Sequence, residues 1–586
     1  MRIFGDLSNT EKHKETAPAA PAGAPVRPAS PNAPGSPAAE ERRPGSGSDA
    51  RSGPGGDQRS APGNDRRPGP PSGSNGHDPN EFFAAAVALH MQGKAEEALS
   101  FLEKARKGGE NLAEIYSAMA QIYLERKQHS EAAKAYRDLL AVDPDNVAAE
   151  FNLALCYEAL GSYQEACQAF KTVIHNAPEL SDAHLGLATA YTKMGEFAAA
   201  KAAYEAYLKT NPGSFPARFG LGVSLHLAKQ YGEAVSAYKK ALDLEPQSEE
   251  ALANLASVYS ETQDFKNALA CYDKLVKAKP DSWTAHEGLA YACFRMEQYK
   301  EASEQYETVV KLNPQSFEGW YNLGATRQKL GKHQEAAAAY REAAKLKPDV
   351  VDPRINLAIA CEELGNEADA IAEYQHALRL DPKAIAPLYN LALLYEKKSK
   401  DAEAADCYQR VLQEKPDFLD ARFRLALVLH KRSDWPRAIA AYEQCLKEKP
   451  AWAEAWLNLG IVCVKAGKPQ EALSAFTQAL KLAPEDAEAL LGLAGVHLQL
   501  ENFDDARKLY HRLVELKPNH PEILFNAALL EQKAKNTQEA IKLYTRAVTH
   551  KTEFAEAFLN LAIAYQSMAN EAEAGKAFEK AIRLKP

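Results

Sequence analysis

The sequence predicts an all-α solenoid of stacked helical hairpins preceded by a disordered N-terminal tail, and three observations predict it. Pro144, Pro178, Pro212, Pro246, Pro280, Pro314, Pro348, Pro382, Pro416, Pro450, Pro484 and Pro518 follow one another at intervals of 34 residues; Thr552 interrupts the series and Pro586 resumes it. Twelve residues before each boundary stands alanine, in all 15 copies from Ala98, Ala132 and Ala166 to Ala574. Four residues after that alanine comes an aromatic in fourteen copies, for example Tyr136, Phe170, Tyr204, Tyr408 and Phe578, with Leu102 the exception. A position that takes only alanine must be crowded, and a ring four residues on shares its helical face.

The tail comes first in the chain. From Thr16 to about Pro79 it is built of Pro, Gly, Ala and Ser with mixed charges. Such a segment cannot bury enough apolar surface to offset the entropy of ordering, so residues 1–76 are expected to be disordered. Its charge is nearly balanced, which makes Arg42, Arg43, Arg66 and Arg67 part of a solvated linker rather than a nucleic-acid arm. Met1 to Leu7, with Ile3, Phe4 and Leu7, is more apolar than the rest of the tail and reads either as a short docking peptide or as a frayed terminus.

Residues 77–586 then divide into 15 repeats of 34, with boundaries at 110, 144, 178, 212, 246, 280, 314, 348, 382, 416, 450, 484, 518, 552 and 586. Each repeat reads as two amphipathic helices. In the repeat closed by Pro178, the first runs from Ala148 to Leu160, with Leu153, Ala154 and Tyr157 as its apolar stripe. Gly161 ends it with a left-handed cap, and glycine recurs there as Gly195, Gly331, Gly365 and Gly467. The second runs from about Tyr163 to His175, and Pro178 terminates it because proline cannot continue helical hydrogen bonding.

A leucine-small pair, a tyrosine, an alanine opening helix two, an aromatic one turn later and a closing proline at period 34 resemble the tetratricopeptide repeat. Trp320, Leu323-Gly324, Ala336, Tyr340 and Pro348 form one of the fullest matches. The resemblance implies a right-handed superhelix whose concave wall is lined by the first helices, with protein binding in that groove. Just before the leucine-small pair stand Asn152, Asn254, Asn322, Asn356, Asn390, Asn458, Asn526 and Asn560, with Gly or Arg424 among the substitutes. They resemble the asparagine ladder with which some superhelical members hold a peptide main chain, since an amide both donates and accepts. The other reading is that they satisfy a neighbouring hairpin. One residue earlier are large apolar side chains, among them Tyr321, Tyr389 and Phe423, which read either as subsites beside the ladder or as inter-repeat packing.

The family's clamp for a C-terminal carboxylate, a lysine one turn before asparagine, is absent. That place is mostly acidic: Glu250, Glu318, Asp352, Glu454, Glu522 and Glu556. Seven residues after the asparagine position lie Lys193, Arg295, Lys329, Lys397, Lys431, Lys465 and Lys533, which either follow the helix dipole or form a basic stripe.

The remaining composition narrows the function. A net charge of -9 argues against a nucleic-acid partner. No run of about 18 apolar residues suggests a membrane span. Eight cysteines without a C-x-x-C fit a reducing compartment, and a cytoplasmic location is expected. Cys293, Cys361 and Cys463 share one helical position with tyrosines and read as small core residues. Phosphate loops, nucleophile elbows and metal pairs are missing; Gly220-Leu221-Gly222 lacks its third glycine. The sequence therefore predicts no catalytic residue, cofactor or metal, and a scaffold that binds extended segments of client proteins. Two further readings stay open: a non-catalytic targeting subunit of a separate enzyme or of a secretion or pilus assembly machine, and a solenoid that self-assembles through its uncapped C-terminal repeat.

Overall fold

The computed structural model describes residues 79–109 and 111–585, which contain thirty helices and no strand. The expectations for a disordered tail and a docking peptide at Met1–Leu7 lie outside the described residues. Two compact units divide the rest, one up to Thr326 and the other from Arg327, so that the division falls inside the helix Phe317–Lys329. Each unit is an α-solenoid of consecutive hairpins in which every helix packs on its neighbours in sequence.

The reason for this local order lies in the crowded alanine. From Ala98 to Ala540 it has no exposed surface, and Ala574 keeps 4%. A larger side chain there would push apart the two helices of the hairpin, so the position admits only a methyl group. The aromatic one turn later is also buried, as at Tyr238, Tyr306, Tyr340, Tyr374 and Tyr408. It projects toward the first helix of the next repeat, as Tyr204 does against Gly220 and Tyr272 against Gly288.

The repeat closed by Pro178 shows the elements. Its first helix spans Val147–Ala159, its second Tyr163–Asn176. Gly161 sits at φ 76°, and the Ser162 amide donates to the Tyr157 carbonyl over 2.9 Å, the six-to-one bond of a Schellman turn. The same left-handed φ recurs every 34 residues whether or not glycine is present: Lys127, Lys229, Gln263, Glu297, Ser399, Ser433, Glu501, Lys535 and Ala569 adopt it at 55° to 65°. At the other end, the residue preceding each boundary proline leaves the helical region, as Asp143 does at φ -133°, ψ 79° before Pro144. Proline excludes the helical region for the residue ahead of it, and this stops the second helix.

The boundary proline also leaves a carbonyl to be satisfied. Six residues on, the first helix supplies an N–H donor to it: Trp320 Nε1 to Pro314 over 3.0 Å, Trp456 Nε1 to Pro450 over 2.9 Å, and Arg218 to Pro212 over 2.7 Å. Arg422 reaches Pro416 in the same way, and His286 Nε2 lies 3.0 Å from the Pro280 carbonyl. Tryptophan, arginine and histidine are interchangeable here because the shared requirement is a donor at that reach.

Candidate peptide-binding surface of the first helices

All eight ladder asparagines lie on first helices. Asn152, Asn254 and Asn322 belong to the first unit, and Asn356, Asn390, Asn458, Asn526 and Asn560 to the second. Asn254, Asn322, Asn356 and Asn390 are buried; Asn152, Asn458, Asn526 and Asn560 are half-buried. The amide nitrogens of Asn254, Asn458 and Asn560 donate to carbonyls four residues back, those of Glu250 at 2.8 Å, Glu454 at 3.0 Å and Glu556 at 2.8 Å. Asn390 is 3% exposed, and neither half of its amide makes a hydrogen bond. Its neighbour, the Tyr374 hydroxyl, instead donates to Glu362 at 2.5 Å. Asn254 leaves its Oδ1 buried and unpaired.

The ladder position has a physical rule that its spacing alone hides. It faces the aromatic sixteen residues earlier, on the second helix of the preceding repeat. Where glycine holds the position, the ring closes onto the helix backbone: a Cβ on Gly220 would stand 2.5 Å from the Tyr204 hydroxyl oxygen, and one on Gly492 2.5 Å from Phe476 Cζ. Gly186 against Phe170 and Gly288 against Tyr272 are tighter still. Where asparagine holds it, the ring is always tyrosine, and the amide lies beside the hydroxyl, as for Asn322 with Tyr306 and Asn526 with Tyr510. The two phenylalanines followed by a described ladder residue, Phe170 and Phe476, both meet glycine. This coincidence was the signal in the sequence, and reading the ladder by itself missed it.

The apolar positions beside the ladder are drawn into packing between repeats. Tyr389 stacks on Phe418 at 4.9 Å and Phe423 on Trp452 at 4.3 Å, each with a lysine over the outer ring: Lys415 at 5.3 Å and Lys449 at 4.8 Å. Tyr321 is 2% exposed and stacks on Phe317 at 6.0 Å. Arg424, the basic substitute in the ladder, lies 3.4 Å from Asp420 and 3.6 Å from Glu396, while the Tyr389 hydroxyl donates to Asp420 and the Tyr408 hydroxyl to Glu396. Glu287 takes the place of an apolar side chain beside the ladder. Burial, reinforced by Glu318, pushes its carboxyl up to about 7.

The basic positions are partly engaged too. Lys397 pairs with Glu367 at 2.7 Å, Arg295 donates to the Tyr291 hydroxyl and covers Phe265, and Lys533 lies 3.1 Å from the centre of the Phe503 ring. No group of three or more metal-ligating side chains occurs among the described residues, and no described helix is long and apolar enough to cross a membrane.

Helical hairpins with these crowded alanines, ring positions and donor-capped prolines define an all-α helical-repeat protein. Tetratricopeptide-repeat models match residues 117–181, 185–249 and 324–385, and a second such model matches 225–285. The chain is a tetratricopeptide-repeat protein. The model for subunit 3 of the anaphase-promoting complex, or cyclosome, matches residues 261–343, and that for the C-terminal domain of cilia and flagella-associated protein 70 matches 388–586. No curated protein is significantly similar in sequence. Among solved structures, YrrB, described as a TPR protein with an unusual peptide-binding site, is 22% identical over 34% of this chain and 98% of its own, with a TM-score of 0.30. MamA is 24% identical over 31% of this chain and 97% of its own, with a TM-score of 0.27. The Naa15/Naa10 structure with HypK-THB is 14% identical over 86% of this chain and 94% of that one, with a TM-score of 0.32.

Proposed function

We propose that the chain is a non-catalytic interaction scaffold whose first helices hold extended segments of client proteins. Tetratricopeptide-repeat proteins generally mediate protein–protein interactions. The observation that carries the finer reading is the recurrence of asparagine at one place on the first helices, where Asn152, Asn458, Asn526 and Asn560 keep accessible surface. An accessible side-chain amide can accept from a peptide main chain through its oxygen and donate to it through its nitrogen. Asn254, Asn322, Asn356 and Asn390 hold the same place within their own units. Tyr389 and Phe423 act on it through shape, because their rings stack on those of the next repeat, while Tyr321 packs on Phe317 of its own helix. Partners are proteins rather than nucleic acid, given the charge of -9, and eight free cysteines suit a reducing, cytoplasmic setting.

The test is affinity capture on the full chain against an Asn356→Ala, Asn390→Ala, Asn458→Ala variant, with bound proteins quantified by mass spectrometry. The reading expects partners to fall at least tenfold while helicity stays unchanged. Equal capture by both proteins would reject it. A second reading, a non-catalytic subunit of a larger assembly, is supported by the match of residues 261–343 to the model for an anaphase-promoting-complex subunit. It expects one set of partners at fixed stoichiometry instead of varied clients.

A further inference from the structure

The rule that a ring of one repeat fills the space against the ladder position of the next fails at one place. In the first repeat the ring is replaced by Leu102, and the facing ladder position is Ala118 rather than Asn, Gly or Arg. Leucine is smaller than the ring it replaces, and Ala118 is smaller than the asparagine or arginine found in nine of the later repeats, so neither side chain fills this interface. A cavity of about 580 Å³ lies there, lined by Leu102, Ala118, Ala86, Val87, Ile122 and Leu139, with Glu114, Ser117, Gln121 and His90 at its polar margin. Leu102 itself is buried, so it forms the floor; Val87 at the margin is 41% exposed. The depression opens to solvent past Val87, Glu114, Ser117 and Gln121, so a side chain can enter it from outside and cover its apolar floor. An aromatic side chain is the group that stands at the equivalent place in the thirteen later interfaces between repeats, from Tyr136 to Tyr544.

The sequence supplies such a group from one side. The helix Pro79–Met91, into which residues 1–78 lead, contributes Ala86, Val87 and His90 to the cavity. In those 78 residues the one cluster of large apolar side chains is Ile3, Phe4 and Leu7, beside Arg2. Only 71 residues separate Leu7 from Pro79. A chain of that length rich in Gly, Pro, Ala and Ser has a root-mean-square span of about 45 Å, about twice the distance the segment must cover along one helix of 13 residues. Tethering at this span gives an effective concentration of a few millimolar, so even a weak site of about 1 mM is mostly filled from within the chain. The charges agree as well: Glu114 lines the cavity, and Glu125 on the same helix pairs with His90 at 3.4 Å, which suits the guanidinium of Arg2.

We propose that this cavity is an intramolecular docking site for the N-terminal segment Met1–Leu7, with the ring of Phe4 taking the place that the missing aromatic leaves beside Leu102 and Ala118. The site sits at the ladder position of the second repeat, ahead of the first ladder asparagine, Asn152, and its occupation joins the N-terminal segment to the first two repeats. The experiment uses the full chain with p-benzoylphenylalanine in place of Phe4, irradiated and mapped by peptide mass spectrometry. Cross-links are expected at the monomer mass, on Pro79–Met91 and Leu112–Glu125. Leu102→Phe, which restores the ring of the other repeats, should lower them at least fivefold. So should Ser117→Arg, an exposed change on the margin that opposes Arg2 and leaves the core untouched should Leu102→Phe disturb folding. Cross-links spread over later first helices would assign the segment to the ladder surface instead, and cross-links at the dimer mass to a second copy. Either result, or yields unchanged in both cavity variants, overturns the proposal.

Discussion

Gly186 and Gly575 are both helical glycines, yet they should respond in opposite ways to a single methyl group. A Cβ at Gly186 would overlap the Phe170 ring, whereas one at Gly575 meets nothing within 4 Å. Gly186→Ala is therefore expected to lose about 1–3 kcal/mol by overpacking. Gly575→Ala should gain up to about 1 kcal/mol from helix propensity. Urea denaturation followed by circular dichroism separates the two. Glu287 gives a pH-dependent counterpart. Its carboxyl is raised to about 7 in the folded chain by burial, from an ordinary 4.5. The proton is bound more tightly in the folded state, so the stability it confers is fully present below about pH 4.5. That stability is lost as pH rises through 7. Glu287→Gln should raise the unfolding free energy by roughly 2–4 kcal/mol at pH 8 and leave it unchanged at pH 4.5. A gain of the same size at both pH values would show that packing, not charge, is responsible.

The turn between the two helices of a hairpin imposes a left-handed residue in every repeat, and nine repeats meet that demand without glycine. A side chain in this conformation costs roughly 1–2 kcal/mol relative to the right-handed region. Gln263, exposed and at φ 62°, is one such residue. Gln263→Gly is expected to stabilise the chain by up to about 1 kcal/mol. Gly195→Ala, at φ 79°, should destabilise it by a similar amount, both read from thermal melting. Glycines such as Gly161, Gly195 and Gly331 pointed to this turn in the sequence. Its presence in copies that carry Lys, Glu, Ser or Ala was not legible there, because closure of the hairpin dictates the conformation and those side chains merely tolerate it.

Within each unit, helices pack on their neighbours in sequence, so stability is a sum of repeat and nearest-neighbour terms rather than a property of one core. Removing residues 553–586, which hold the helices Ala555–Ser567 and Glu571–Leu584, should thus lower the helical signal by about two helices in thirty. The remaining chain should unfold at nearly the same temperature. Loss of most helicity on this truncation would mean that long-range contacts hold the array together. The buried thiols fit the same picture of distributed cores. All eight lie inside helix interfaces, and burial raises Cys156, Cys271 and Cys407 to about 11, which leaves them unreactive at neutral pH.

Period, hairpin and crowded alanine were determined by the sequence alone, since they depend on side-chain size and on the inability of proline to continue a helix. Ala336, Tyr340 and Pro348 suffice to place a helix, its buried face and its end. What Asn390, Tyr389 and Phe423 do was decided only by the tertiary structure. Asn390 is buried beside the Tyr374 hydroxyl, which donates to Glu362, and Tyr389 and Phe423 are drawn under the rings that open the next repeat. The cavity beside Leu102 and Ala118 belongs to the same class. Each substitution is unremarkable along the chain, and the space exists only because hairpin stacking brings two small side chains, sixteen residues apart, to one interface.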